Sequence, residues 1–171
     1  EKVIYMDCDM LVLQPLGSLW ETPLEGLALA AAPDAIEPNP EHPRRLQYDE
    51  KYGYFNGGLL LLNLRYWREN NIEGKCREYY NRYPERIEMN DQDLLNGLLH
   101  DRKTFVDIRY NVQEGAYRLP KGKPADWQPP YRDLLLHPVI LHYSSRKPWQ
   151  YHCMHPLRHL FFQYQDLTPW A

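Results

Sequence analysis

Two aspartates stand one residue apart at the end of an apolar run, Val3-Ile4-Tyr5-Met6-Asp7-Cys8-Asp9. In an extended segment, side chains at i and i+2 point to the same side, about 6.6 Å apart. Two carboxylates so placed repel unless a cation or hydrogen-bond donors lie between them. Carboxylate oxygens suit Mn²⁺ or Mg²⁺, and such an ion keeps positions open for phosphate oxygens. The competing reading is that one Asp caps a turn and the other is solvated, and Asp-x-Asp alone does not choose between the two.

Three further segments carry chemistry-bearing residues. Tyr54-Phe55-Asn56-Gly57-Gly58-Leu59 combines two glycines, which let a ligand or backbone approach closely, with an amide that both donates and accepts. Asn90-Asp91-Gln92-Asp93 opens a helical pattern; acids there favour the helix dipole in any case, but the same position puts Asp91 and Gln92 at the mouth of a site, where an amide could face developing charge. Leu141-His142-Tyr143-Ser144-Ser145-Arg146-Lys147-Pro148-Trp149 places an imidazole at a strand end and cations after it, with Lys147 suited to a diphosphate and Arg146 able to bind one bidentately. His152, Cys153 and His155 have ligand-like spacing, but no second pair nearby completes a zinc site.

The elements that must hold these residues alternate between strand and helix patterns, which predicts an α/β domain. Strands are expected at 2–6, within the apolar run 26–32, at 59–63, at 104–108 and at 139–143. Helices are expected at 16–21, from 64 to 80, from 92 to 100 with Asn90 or Asp91 as cap, and from 156 to 165. Residues 35–52 read as an exposed loop or short helix. Residues 113–130 hold four prolines and read as a long loop of the kind that covers binding sites. The chain divides into a catalytic portion, 1–150, and a helical tail, 151–171.

A length of 171 residues suffices for one sizeable core. The net charge of −3 gives no basic excess for nucleic acid. Cys8, Cys76 and Cys153 are odd in number and widely spaced, which argues against a disulfide framework and for a reducing compartment. No run approaches the roughly 18 apolar residues of a membrane span, and no signal peptide is visible. A cytoplasmic location is expected, with the aromatic and basic tail (Arg158, Phe161, Phe162, Trp170) a surface that could also meet the inner membrane. The opening run reads as a buried strand, and residues upstream of it are expected.

In this order, with Ala31-Ala32-Pro33-Asp34 between the first two, the four segments resemble glycosyltransferase family 8, which includes glycogenin and bacterial lipopolysaccharide galactosyl- and glucosyltransferases. The resemblance runs from Lys2 to about Trp149. It implies a GT-A fold, a Rossmann-like α/β domain, here without the N-terminal strands that hold the base. It implies a divalent ion, usually Mn²⁺, with Asp7, Asp9 and His142 as ligands and Lys147 as a diphosphate contact. Asp34, Asn56, Gly57, Asp91 and Gln92 would wall the transferred sugar, with Asp91 and Gln92 nearest the chemistry, and Cys8 is placed with the donor contacts. The family retains anomeric configuration, and Gln92 falls where the group near the reacting carbon is expected, as nucleophile or as charge stabiliser. The donor would be a UDP-hexose, glucose or galactose, and the acceptor a glycan or lipid-linked glycan of surface polysaccharide synthesis. The family's last motif commonly reads His-x-x-Gly-x-x-Lys-Pro-Trp; here Ser145 replaces the Gly and the span to Lys147 is one residue shorter.

Two other functions compete. A strand ending in Asp-x-Asp also opens haloacid-dehalogenase phosphatases, in which the first Asp is a nucleophile, but those want Thr or Val where this chain has Leu11. A non-catalytic portion of a transferase, binding metal or carbohydrate, is the other.

Overall fold

An apolar run buried on both faces belongs in the middle of a sheet, and the longest such run takes that place. The computed structural model describes residues 1–36, 38–117 and 131–170. Its strands are β1 (Lys2–Met6), β2 (Met10–Val12), β3 (Leu29–Pro33), β4 (Phe55–Asn63), β5 (Lys103–Phe105), β6 (Val112–Gln113) and β7 (Ile140–His142). Its helices are α1 (Gly17–Trp20), α2 (Glu41–Leu46), α3 (Leu64–Glu69), α4 (Ile72–Arg82), α5 (Asn90–Leu99), α6 (Arg132–Leu136) and α7 (Arg158–Gln165). Four strands form one sheet in the order β1-β4-β3-β5, and three form a second in the order β2-β7-β6. Both are mixed: β1/β4, β3/β4 and β2/β7 are antiparallel, while β3/β5 and β6/β7 are parallel.

Alternation along β3 and β4 divides the core into two halves. Leu29, Ala31 and Leu60 meet Ile72, Leu95 and Leu99 from α4 and α5, with Tyr66 and Trp67 of α3 at the margin. Ala30, Leu59 and Leu61 face the other way, onto Leu19 of α1 and Ile140 of β7, with Met10, Val12 and Tyr110 packed alongside. The order of layers is therefore helices, four-stranded sheet, three-stranded sheet. The chain passes between the sheets at Asp7-Cys8-Asp9, from the end of β1 to the start of β2.

Several boundaries differ from the sequence reading. Asp7 to Asp9 is a turn rather than extended chain, because the chain leaves one sheet there to enter the other. β4 begins at Phe55, so both glycines lie inside the strand rather than ahead of it. The expected helix from 64 to 80 is two helices. Asn70 Nδ2 donates to the Tyr66 carbonyl at 2.9 Å, closing α3, and Asn71 turns left-handed at φ 48°, which Asn tolerates better than most residues. The expected strand 104–108 shortens to β5, followed by a 3₁₀ turn over Ile108–Tyr110. Within 35–52, α2 and a 3₁₀ turn (Glu50–Tyr52) form. Of the loop expected at 113–130, Gln113 ends β6 and Glu114–Tyr117 is a 3₁₀ turn; 118–130 lie outside the described residues. The terminal helix and the final strand fall where expected.

The start of α5 is held by a device that local capping rules did not suggest. Neither Asn90 nor Asp91 caps it. Instead Asp93, fully buried in the first turn, accepts the N–H groups of Glu88 (2.8 Å) and Met89 (2.6 Å), both terminal guanidinium nitrogens of Arg45 (2.8 and 2.9 Å) and the Tyr54 hydroxyl (2.7 Å). One turn later, the Asn96 amide binds both the N–H and the C=O of Phe55, past the point where β1 stops pairing with β4 at Leu59. The first two turns of α5 are thus tied to Tyr54 and Phe55 at the head of β4.

Candidate functional site

The turn between the sheets brings Asp7 and Asp9 beside the last residue of β7. One ligand atom from each of Asp7, Asp9 and His142 lies within 4.8 Å of the others, the sole such grouping of three among the described residues. His142 Nε2 is 3.3 Å from Asp9 Oδ1 and 3.8 Å from Asp7 Oδ2. Register explains the meeting. Met10, at the head of β2, pairs with His142, and the Tyr143 N–H donates to the Asp9 carbonyl at 3.0 Å. Asp7 stays with the other sheet through its N–H, which donates to the Gly58 carbonyl at 2.9 Å.

The environment of the three groups is lopsided. Asp9 and His142 are buried and Asp7 is half-buried. Lys147 Nζ bonds to Asp9 Oδ2 and donates to the Tyr143 carbonyl at 2.9 Å, so the chain after β7 folds back to bring its cation onto the carboxylate. Asp9 Oδ1 is buried without a hydrogen-bond partner, facing the imidazole nitrogen. Burial pushes the His142 pKa down, against the upward pull of Asp9 and Asp7. His142 Nε2 and Asp9 Oδ1 lie 3.3 Å apart, close enough for a single cation to meet both. Two carboxylates and one imidazole form a donor set suited to a divalent ion such as Mn²⁺ or Mg²⁺. On Asp7, the Tyr5 hydroxyl donates to Oδ1 at 2.9 Å, and that bond, partial burial and the charges of Asp7 and Asp91 push the phenol pKa up to about 12.

Away from the carboxylates, the floor of the site is the head of β4. Asp34 follows β3 on one side, its N–H donating to the Tyr54 carbonyl at 3.1 Å, and Asp7 follows β1 on the other. Above them Gln92, in the first turn of α5, accepts at Oε1 from the Gly57 N–H (2.9 Å) and Asn56 Nδ2 (3.0 Å), and donates from Nε2 to Asp34 Oδ1 (3.1 Å). Asn56 Nδ2 also donates to Asp34 Oδ1 at 3.0 Å, while Asn56 Oδ1 accepts from the Gly58 N–H at 2.9 Å and from Asn111 Nδ2 at 2.8 Å. Asn111 Oδ1 in turn lies 2.9 Å from His142 Nδ1. A continuous line of side-chain hydrogen bonds therefore runs from Asp34 and Gln92 through Asn56 and Asn111 to His142.

Eight of the ten sequence-selected residues are gathered here: Asp7, Asp9, Asp34, Asn56, Gly57, Gln92, His142 and Lys147. Asp91 is exposed at the rim, within electrostatic reach of Tyr5, and Cys8 is exposed in the turn. His152, Cys153 and His155, set aside as a zinc site, form no ligand cluster among the described residues. Sequence reasoning gave no role to Asn111 or Asn96, and read Asp93 only as one of the acids that favour the helix dipole. Asn111 stands alone between Tyr110 and Val112 with no charged neighbour to mark it.

The glycosyl transferase family 8 model matches residues 1–153. General stress protein A of Bacillus subtilis (strain 168) is 30% identical over 176 residues, covering 99% of this chain and 60% of that protein. The lipopolysaccharide 1,3-galactosyltransferase of Salmonella typhimurium is 33% identical over 129 residues, 70% of this chain and 34% of that protein. Among solved structures, the galactosyltransferase LgtC in complex with donor and acceptor sugar analogs superposes with a TM-score of 0.81 at 29% identity, covering 99% of this chain and 62% of that one. The chain thus spans less than two thirds of the length of each of these proteins.

Proposed function

The chain belongs to glycosyltransferase family 8, and we propose that it carries the metal- and sugar-handling part of a retaining transferase that moves a hexose, glucose or galactose, from a UDP-sugar to a glycan acceptor. The GT-A fold supports this, through the likeness to LgtC bound to donor and acceptor sugar analogs. The likeness to a lipopolysaccharide 1,3-galactosyltransferase supports an acceptor of surface polysaccharide type. The observation that carries the reading is the convergence of Asp7, Asp9 and His142 at the seam between the sheets, with Asp9 Oδ1 buried and unpartnered.

In this reading Asp7, Asp9 and His142 would hold Mn²⁺ or Mg²⁺, which when bound offsets the negative charge that builds on the leaving nucleoside diphosphate. Lys147, now on Asp9, would turn its cation to the diphosphate. Asp34, Asn56 and Gly57 would wall the transferred sugar and fix its orientation through groups already locked by hydrogen bonds. Gln92 Oε1 already accepts two hydrogen bonds, which suits a fixed amide that stabilises charge better than a free nucleophile. Asp91 and Cys8 would reach the donor from the rim. The phosphatase reading makes Asp7 a nucleophile and gives the Asn56, Gln92 and Asp34 network no task, so it is not adopted.

Calorimetric titration of Mn²⁺, with and without UDP, on this chain and on Asp9→Ala tests the proposal. Binding that UDP strengthens and the variant loses is expected. Equal binding by Asp9→Ala and the unaltered chain, or none by either, would overturn the assignment of the metal site.

A further inference from the structure

We propose that Asn111 is a positioning residue that holds His142 in the tautomer with its proton on Nδ1, leaving the Nε2 lone pair directed at Asp7 and Asp9. The inference rests on the metal-site reading above for its consequence, but its structural part is independent of it.

The direction of each hydrogen bond follows from two groups that cannot be reversed. The backbone N–H of Gly58 only donates, so the Asn56 atom it meets at 2.9 Å must be the carbonyl oxygen. The other end of Asn56 is then the NH₂, and its partners agree: the Asp34 carboxylate at 3.0 Å and the Gln92 oxygen at 3.0 Å, the latter fixed separately as an acceptor by the Gly57 N–H. With Asn56 Oδ1 accepting, the Asn111 atom 2.8 Å away must be its NH₂. The remaining Asn111 atom is therefore a carbonyl oxygen, and the imidazole nitrogen 2.9 Å from it, Nδ1, must donate. A neutral imidazole with its proton on Nδ1 presents a bare lone pair at Nε2. The position of the imidazole proton is thus set by the Gly58 N–H of β4, relayed through the carboxamides of Asn56 and Asn111.

Burial keeps this relay from being scrambled by water. Asn111 is 1% exposed, Asn56 7% and His142 4%. Asn111 is held in place by its position between the 3₁₀ turn and β6, whose residues Val112 and Gln113 pair with Leu141 and His142. It therefore sits immediately ahead of the strand that pairs with the one carrying His142. Groups that orient the free nitrogen of a ligating histidine typically change metal affinity about 10–100-fold when removed.

The test uses the 171-residue chain and two readouts. The first is the ¹⁵N spectrum of the metal-free chain at about pH 8, where an imidazole is neutral, with the His142 signals identified by their loss in His142→Ala. A proton on Nδ1 is expected in the unaltered chain and in Asn111→Asp, whose carboxylate still accepts it; Asn111→Leu, which offers no acceptor, should shift the population toward the Nε2 proton. The second is calorimetry with Mn²⁺ alone, where Asn111→Leu should weaken binding about 10–100-fold and Asn111→Asp should stay closer to the unaltered chain. A proton on Nε2 in the unaltered chain overturns the inference even if Asn111→Leu fails to fold. So does an Asn111→Leu variant that folds, keeps the proton on Nδ1 and binds Mn²⁺ unchanged. If the unaltered chain shows the Nδ1 proton but binds no Mn²⁺, the metal reading fails and the positioning role of Asn111 stands.

Discussion

Gly58 and His142 are so close that a methyl group does not fit between them: a Cβ on Gly58 would lie 2.6 Å from His142 Cε1, and also 2.9 Å from Asp7 Oδ2. The absence of a side chain at this one position of β4 is what lets residues from the two sheets converge. Gly58→Ala should force His142 and Asp7 aside. We expect a moderate loss of stability, about 1–3 kcal/mol as for other overpacked sites, and a much larger proportional loss of Mn²⁺ affinity. Urea unfolding and calorimetry on the same variant measure the two effects; a Gly58→Ala chain that binds Mn²⁺ normally would show that the close approach is incidental.

Gly57, by contrast, has room. A Cβ there would meet Gln92 Cβ at 3.4 Å, an ordinary contact. The pair of glycines looks symmetrical in sequence, yet only the second is sterically obligatory, and no local rule distinguishes them because the obstructing atoms come from residues 7 and 142. The same limit explains the rest of the comparison. Asp-x-Asp and the strand-end histidine were readable because charge beside an apolar run needs a partner. Gln92 and Asn56 were readable through the family resemblance. Asn111 was not, since a neutral amide gives no signal until the strands that flank it are paired. The fold itself was legible where a run was long and apolar, as at 59–63, and illegible where a break depended on one residue, as at Asn71 with its left-handed backbone.

Asp93 makes a prediction in acid. Burial would push its carboxyl pKa up, but the Arg45 guanidinium, the Met89 N–H, the Tyr54 hydroxyl and the Glu88 N–H outweigh that and hold it below the usual carboxylate range. A depressed folded-state pKa gives stability that is present above the unfolded value, about 4, and lost as pH falls through the folded one. Asp93→Asn should therefore destabilise the chain most near neutrality, and the difference from the unaltered chain should shrink below about pH 4. Urea midpoints between about pH 7 and pH 3 would reveal it; a pH-independent difference would mean that Asp93 acts through shape alone.

His155 should steepen the same acid limb at a higher pH. Its Nδ1 accepts the Leu157 N–H at 3.1 Å, its ring meets Tyr117 and Tyr143 edge-on, and its Nε2 is buried without a hydrogen-bond partner. Burial pushes its pKa down to about 4, only partly opposed by Glu114. Because the unfolded imidazole takes up its proton near pH 6.5 and the folded one does not until about 4, stability should fall as pH drops through that interval. The loss should be on the order of 3 kcal/mol by its lower end. His155→Phe should remove that slope while leaving the region above about pH 7 little changed. An unaltered slope would assign it to other groups.

Asn96 tests how firmly α5 is tied to the sheet. Its amide satisfies the N–H and C=O of Phe55 and also donates to the Gln92 carbonyl at 2.9 Å. Asn96→Leu fills similar space but leaves buried backbone groups unpaired, at about 1–3 kcal/mol for each. Thermal unfolding should show a drop of several degrees or more, and hydrogen exchange at the Phe55 amide should accelerate beyond the global change. Protection at Phe55 equal to the rest of β4 would show that the strand holds without this clamp.

The seam at Asp7-Cys8-Asp9 has a thermodynamic consequence. Asp7 follows the last residue of β1 in the four-stranded sheet, whereas Asp9 introduces the three-stranded sheet and His142 ends its central strand. A cation held by all three would be a cross-link between layers that otherwise adhere through apolar contacts and the buried Asn56–Asn111 hydrogen bond. Its concentration would enter the unfolding equilibrium as a reactant, adding RT ln(1 + [M]/Kd) to the stability of the joined sheets. The chain would then be a cation-dependent laminate, stiffer with the ion bound and looser along one identifiable plane without it.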